Sequence, residues 1–128
     1  MKPSEAILAD VLGQVLEVEV EADGALTVRH DGTVAALRTL PIAESLEIIS
    51  LTQVLAWDLL CTSELRQRVA QEASRAMFGT VTMTEDSGGR ATVMLRYNFP
   101  AGVAAPALQI LVPIVLDGGA ELRRALVA

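Results

Sequence analysis

The stretch LEVEVEADGALTVRHDGTVAALRTLP, residues 16–41, decides the fold. Residues 16–22 alternate strictly. Leu16, Val18 and Val20 point one way, and Glu17, Glu19 and Glu21 point the other, the pattern of a half-buried strand. A second strand runs from Ala25 to His30. The turn between them is fixed by which side chains must face together. A two-residue turn at Asp23-Gly24 sets Glu21 opposite Leu26, a charge on the apolar face. A three-residue loop, Ala22-Asp23-Gly24 with Gly24 left-handed, pairs Val20 with Leu26 and Val18 with Val28. It also sets Glu17 opposite Arg29 and Glu19 opposite Thr27. At Asp31-Gly32 a two-residue turn pairs Val28 with Ala35 and Leu26 with Leu37, and Pro41 ends that strand. The stretch is therefore an antiparallel meander.

Working outward, residues 4–15 read as a helix. Ser4 is the N-cap, and Ile7, Leu8, Val11, Leu12 and Val15 form one stripe. Residues 46–56 are apolar and β-branched without clean alternation, as in a central strand covered on both faces; a buried helix is the alternative for the second half. Thr62 or Ser63 caps a helix over 64–77 whose apolar stripe, Leu65, Val69, Ala70, Ala73 and Met77, is thin and rich in alanine. Strands at 80–85 and 91–98 flank the loop Asp86-Ser87-Gly88-Gly89-Arg90. A last helix runs from Pro106 to Leu126, with Pro113 and Asp117-Gly118-Gly119 expected to kink or divide it. The order is α-β-β-β-α-β-β-α: an α+β fold with a twisted antiparallel sheet and flanking helices, in one domain spanning residues 1–128.

Composition narrows the partners. Hydrophobic residues make up 52% of the 128 and aromatic residues 3%, so the core is built from Val, Leu, Ile and Ala. A short chain with this apolar excess either buries it or shares it with a second subunit. The helix stripe of Leu65, Val69, Ala73 and Met77 is the expected dimer seam. Net charge is −6. Residues 1–64 carry 3 basic and 11 acidic side chains, and residues 65–128 carry 7 and 5. An acidic chain is not drawn to a phosphate backbone, so direct nucleic-acid binding is disfavoured. Cys61 is the only cysteine, and Met1 to Glu5 do not read as the start of a signal peptide. Both suit a reducing, cytoplasmic setting. The apolar run Phe99–Leu116 is broken by prolines and reads as a loop entering a buried helix rather than a membrane span.

No set of residues suggests a reaction, a cofactor or a metal site. His30 precedes a tight turn, Asp31 should point to the other side of the strand, and a strand-end role is expected. Cys61 lacks a neighbouring base in sequence and reads as a small buried residue. Glu17, Glu19 and Glu21 do not converge as cation ligands should. They read as a solvated face or as an acidic docking surface for a basic partner, with only Glu17 having a counter-charge, Arg29. Ser87-Gly88-Gly89 opens no helix, so it is no phosphate cradle.

The hairpin "MFGTVTMTEDSGGRATVMLRYNFP" followed by the helix "APALQILVPIVLDGGAELRRAL", preceded by helix, meander and helix, resembles the YbjN family, whose fold is similar to the type III secretion chaperones. The resemblance implies a bacterial protein, often a homodimer, that binds other proteins in a chaperone-like, regulatory or stress-response role and needs no cofactor. It transfers no functional residue. The expectation is an acidic, non-enzymatic homodimer whose protein client carries a basic segment, such as a nucleic-acid-binding protein. A small-molecule-sensing domain with a pocket between sheet and helices is the alternative.

Overall fold

The computed structural model describes residues 2–127; Met1 and Ala128 lie outside them. Along the chain come α1 (Pro3–Gly13), β1 (Glu19–Val20), β2 (Leu26–His30), β3 (Thr33–Ala43) and β4 (Leu46–Leu60). They are followed by α2 (Ser63–Ala73), β5 (Thr80–Glu85), β6 (Arg90–Pro100) and α3 (Ala105–Val127). The six strands form one antiparallel sheet in the order β1-β2-β3-β4-β6-β5. The fold is α+β, and its meander has four strands where the sequence reading counted three.

The register of the first strands follows from the facing argument. Val20 pairs with Leu26, Leu26 with Leu37 and Val28 with Ala35. Asp31 and Gly32 both take left-handed backbone, φ +46° and +82°, the conformation of a type I′ hairpin turn. Only Glu19 and Val20 of the 16–22 run pair with β2, so Val18 and Glu17 have no strand partner. Pro41 does not end β3. It pairs with Glu47, and the ladder slips by one residue before Ala43.

β4 is a strand throughout, not a helix in its second half. Ile49, Leu51, Gln53 and Leu55 are buried, while Ile48, Ser50, Thr52 and Val54 are half-buried. One face only is covered. The inward side chains of β2, β3, β4 and β6 form a single core with Leu8, Val11 and Leu12 of α1, Leu65 and Val69 of α2, and Leu108, Val112 and Leu116 of α3. All three helices therefore lie on one face. The alternation of β4 fails near its end because the ladder shifts between Val54 and Ala56 and again before Leu59, with Asp58 left-handed at φ +56°. Such bulges bend a strand and turn its side chains, here leaving Trp57 exposed.

The helix ends depart from the local signals. Lys2, not Ser4, is the N-cap of α1. The Ser4 hydroxyl instead lies 3.2 Å from Glu47 Oε2 and 3.3 Å from Thr39 Oγ1. Thr62 does cap α2, its Oγ1 accepting from Leu65 N–H at 3.1 Å. α2 stops at Ala73, four residues early, where the Ser74 hydroxyl donates to Gln71 O. α3 runs unbroken through Pro113 and Gly118-Gly119. It is long and apolar enough to cross a membrane by length and composition, and its inward side packs against the sheet.

Candidate functional site

The two ends of the sheet are built differently. At the β3–β4 hairpin, β3, β4, α1 and the β6–α3 connection enclose a groove of about 770 Å³. Ile7, Leu8, Val11, Leu46, Ile49 and Leu108 supply apolar walls. Ile7 is 64% exposed and Leu46 46%. Glu44 and Glu47 stand among the lining residues, with no Lys or Arg among the described ones; at the groove's edge Lys2 Nζ donates to the carbonyl of lining Thr39 at 3.1 Å. Exposed apolar side chains gathered with carboxylates suit a segment that brings both apolar and basic groups.

At the β2–β3 turn the contacts are polar. Gln53 of β4 is fully buried. Its Nε2 donates to Thr33 Oγ1 at 2.9 Å and to Leu116 O at 3.0 Å. The Thr33 hydroxyl in turn donates to His30 O at 2.6 Å. Gln53 Oε1 is the one buried side-chain polar atom among the described residues without a partner. It packs against Gly119, where a Cβ would stand 2.0 Å away. The glycine that reads as a helix breaker is thus the point where α3 approaches β4. Arg123 adds a clamp: Nη1 donates to Leu55 O at 2.8 Å, and the guanidinium lies 5.6 Å from the centre of the Trp57 ring.

A second cleft, of about 630 Å³, lies between the end of α2, β6 and the middle of α3. Phe78, Leu95, Ile114 and Leu122 line it with Glu72, Arg75, Asp117 and Glu121. Arg75 is paired with Glu72 at 3.2 Å.

The residues singled out from sequence fall in three places. Glu17, Glu19 and Glu21 are exposed along the β1 edge. Arg29 pairs with Glu19, not Glu17, because β1 is too short to carry Glu17 across from it. Glu21 accepts from the Thr27 hydroxyl at 2.9 Å. Leu65 and Val69 are buried in the protomer's own core. Ala73 is half-buried, and Met77, beyond the helix, is 85% exposed. Of that stripe, Met77 and part of Ala73 remain available to a second copy. Cys61 is half-buried with a free thiol. In the β5–β6 loop, Asp86 Oδ1 accepts from Gly88 and Arg90 N–H, so a carboxylate occupies the place an anion would take.

His30, expected to be a plain strand-end residue with Asp31 turned away from it, has carboxylates on two sides, because the left-handed backbone at Asp31 brings that side chain back towards the imidazole. Asp117, 87 positions away, meets its Nε2 at 2.6 Å, and Asp31 Oδ2 lies 3.8 Å from the same atom. Nothing local in the sequence signals that meeting. The groove likewise joins three distant segments, none of which carries a motif. No protein-family model matches this chain, and no curated protein matches it.

Proposed function

We propose that this protein is a non-enzymatic binding domain that works as a homodimer and captures a protein client through a segment bearing apolar and basic side chains. The observation that carries the reading is the groove at the β3–β4 hairpin, where Ile7 and Leu46 are exposed beside Glu44 and Glu47. Its size falls within the usual range of binding clefts. The carboxylates of Glu17, Glu19 and Glu21 act at longer range, orienting a basic surface and raising the on-rate more than the affinity. The helix-free face of the sheet suits the second copy. Val34, Val54 and Met94 form a row across three strands there and are half-buried in the single chain. A reducing cytoplasmic setting suits the free thiol of Cys61. The second cleft favours one alternative, a small-molecule sensor.

Fluorescence anisotropy tests the groove. A labelled amphipathic peptide of Leu and Lys binds the wild type, and the same peptide with Glu for Lys does not. The double variant Ile7→Asp, Leu46→Asp loses the Leu/Lys peptide at least about tenfold, equivalent to roughly 1.4 kcal/mol. Equal binding by wild type and variant overturns the assignment. The variant Glu19→Lys, Glu21→Lys slows association at low salt and leaves dissociation unchanged.

A further inference from the structure

Two carboxylates from different elements converge on one imidazole nitrogen. His30 and Asp31 belong to the β2–β3 turn, and Asp117 to the middle of α3. His30 Nε2 lies 2.6 Å from Asp117 Oδ1 and 3.8 Å from Asp31 Oδ2. One ligand atom from each residue lies within 4.8 Å of the other two. A single imidazole N–H can serve only one of the two carboxylates. The arrangement therefore sets two negative groups around one nitrogen, where a single proton is a poor match and a divalent cation a good one.

We propose that His30, Asp31 and Asp117 form a site for a borderline divalent cation of the zinc type. The donor set decides the class. An imidazole nitrogen with carboxylate oxygens suits Zn²⁺ and its first-row neighbours, whereas Mg²⁺ and Ca²⁺ favour all-oxygen shells. Two ligands bonded tetrahedrally to one zinc at about 2.0–2.1 Å stand about 3.3 Å apart. His30 Nε2 and Asp117 Oδ1 need move only a few tenths of an ångström outward to admit the ion, which takes the place of the proton between them. Asp31 is exposed at the tip of the turn and closes the third side. Solvent completes the coordination.

The spacing of the two elements is set beforehand. Gln53 Nε2 bonds both Thr33 and Leu116, which adjoin the turn and Asp117, and Thr33 holds the carbonyl of His30. Such support behind the ligands distinguishes a preorganised site from a chance gathering of surface acids. Arg123 lies beside the turn, with Nε 2.7 Å from where a Gly32 Cβ would stand. Its guanidinium is engaged by Leu55 O and Trp57, and it makes no ion pair with either aspartate among the described residues.

The test titrates the full chain with zinc chloride by calorimetry and, in parallel, follows cobalt(II) absorption. The wild type binds one zinc at micromolar concentration, and millimolar Mg²⁺ does not compete. Asp31→Asn, which leaves the His30–Asp117 hydrogen bond in place, weakens zinc about tenfold. His30→Gln and Asp117→Asn abolish it, and Cys61→Ser leaves it unchanged. Absence of binding to the wild type at 100 µM zinc overturns the proposal. So does unchanged affinity in both Asp31→Asn and Asp117→Asn, or loss of binding in Cys61→Ser.

Discussion

The β2–β3 end of the sheet and the β3–β4 end differ in how they are closed. At the first, Gln53, Thr33, His30, Arg123 and Asp117 hold α3 to the strands through hydrogen bonds. At the second, Ile7 and Leu46 remain exposed around an apolar groove. Gln53 and Thr33, buried in the first, have little freedom to rearrange, because each lost partner leaves a desolvated atom behind. Apolar walls in the second can accept many shapes at low cost. The molecule keeps one end fixed and offers the other, and substitutions at the two ends should behave in opposite ways.

The largest effect is expected at Gly119. A Cβ there meets Gln53 Oε1 at 2.0 Å and Cδ at 2.4 Å. Gly119→Val overpacks the seam between α3 and β4 and costs about 3 kcal/mol in urea denaturation. Gln53→Ala comes next, at about 2 kcal/mol, since it opens a void and takes a donor from Leu116 O and Thr33 Oγ1. Gln53→Leu is milder than Gln53→Ala because it keeps the volume and removes the unpartnered Oε1. If Gly119→Val unfolds at the wild-type urea midpoint, the polar end is not the fixed one.

Gly118 sharpens the same comparison with the sign reversed. Nothing lies within 4 Å of a Cβ at this position, and it sits inside α3. Gly118→Ala stabilises the protein by about 0.7 kcal/mol by lowering the entropy lost on helix formation. Neighbouring glycines thus give opposite results under one chemical change. At the open end, Ile7→Asp with Leu46→Asp alters stability by no more than about 0.5 kcal/mol, because both side chains already face solvent. A loss of several kcal/mol in that pair would make the groove part of the core.

These contrasts mark what the sequence carried. The β1–β2–β3 register was legible because period-2 alternation and turn chemistry agree: Leu26↔Leu37 and Val28↔Ala35 follow from Asp31-Gly32 alone. The cap at Thr62 was legible for the same local reason. The continuity of α3 was not. Pro113 and Gly118-Gly119 argue locally for a break, and tertiary packing overrides them: Gly119 is where Gln53 of β4 must fit. The two-sided burial expected of β4 failed because Gln53 is polar on the covered face while Ile48 and Val54 are apolar on the other, so residue type hides a burial pattern that alternates. The dimer stripe failed to stay free because Leu65 and Val69 are needed by the core. The groove and the His30 cluster join residues far apart in sequence, and no local pattern can signal such a meeting.

The smallest effect lies at the β1–β2 loop, outside both ends. Asp23 is exposed, yet its carboxyl is held below the ordinary value of 3.8, first by the hydrogen bond from Arg38 and then by the N–H of Ala25. Arg38 Nη2 stands 2.6 Å from Asp23 Oδ2, and Ala25 N–H donates to Oδ1 at 3.1 Å. A carboxyl whose folded value is depressed stabilises the fold above its unfolded value, and that contribution is lost as pH falls through the folded one. Asp23→Asn keeps an acceptor for Ala25 and removes the charge facing Arg38. The melting temperature of the variant should therefore fall slightly below that of the wild type at pH 7. The gap should close as pH drops below 3.8, where the wild-type carboxyl takes up its proton. It should also narrow at 1 M salt, where screening acts within about 3 Å. A gap that persists unchanged at pH 2 would show that the loop is held by the hydrogen-bond geometry of the side chain and not by its charge.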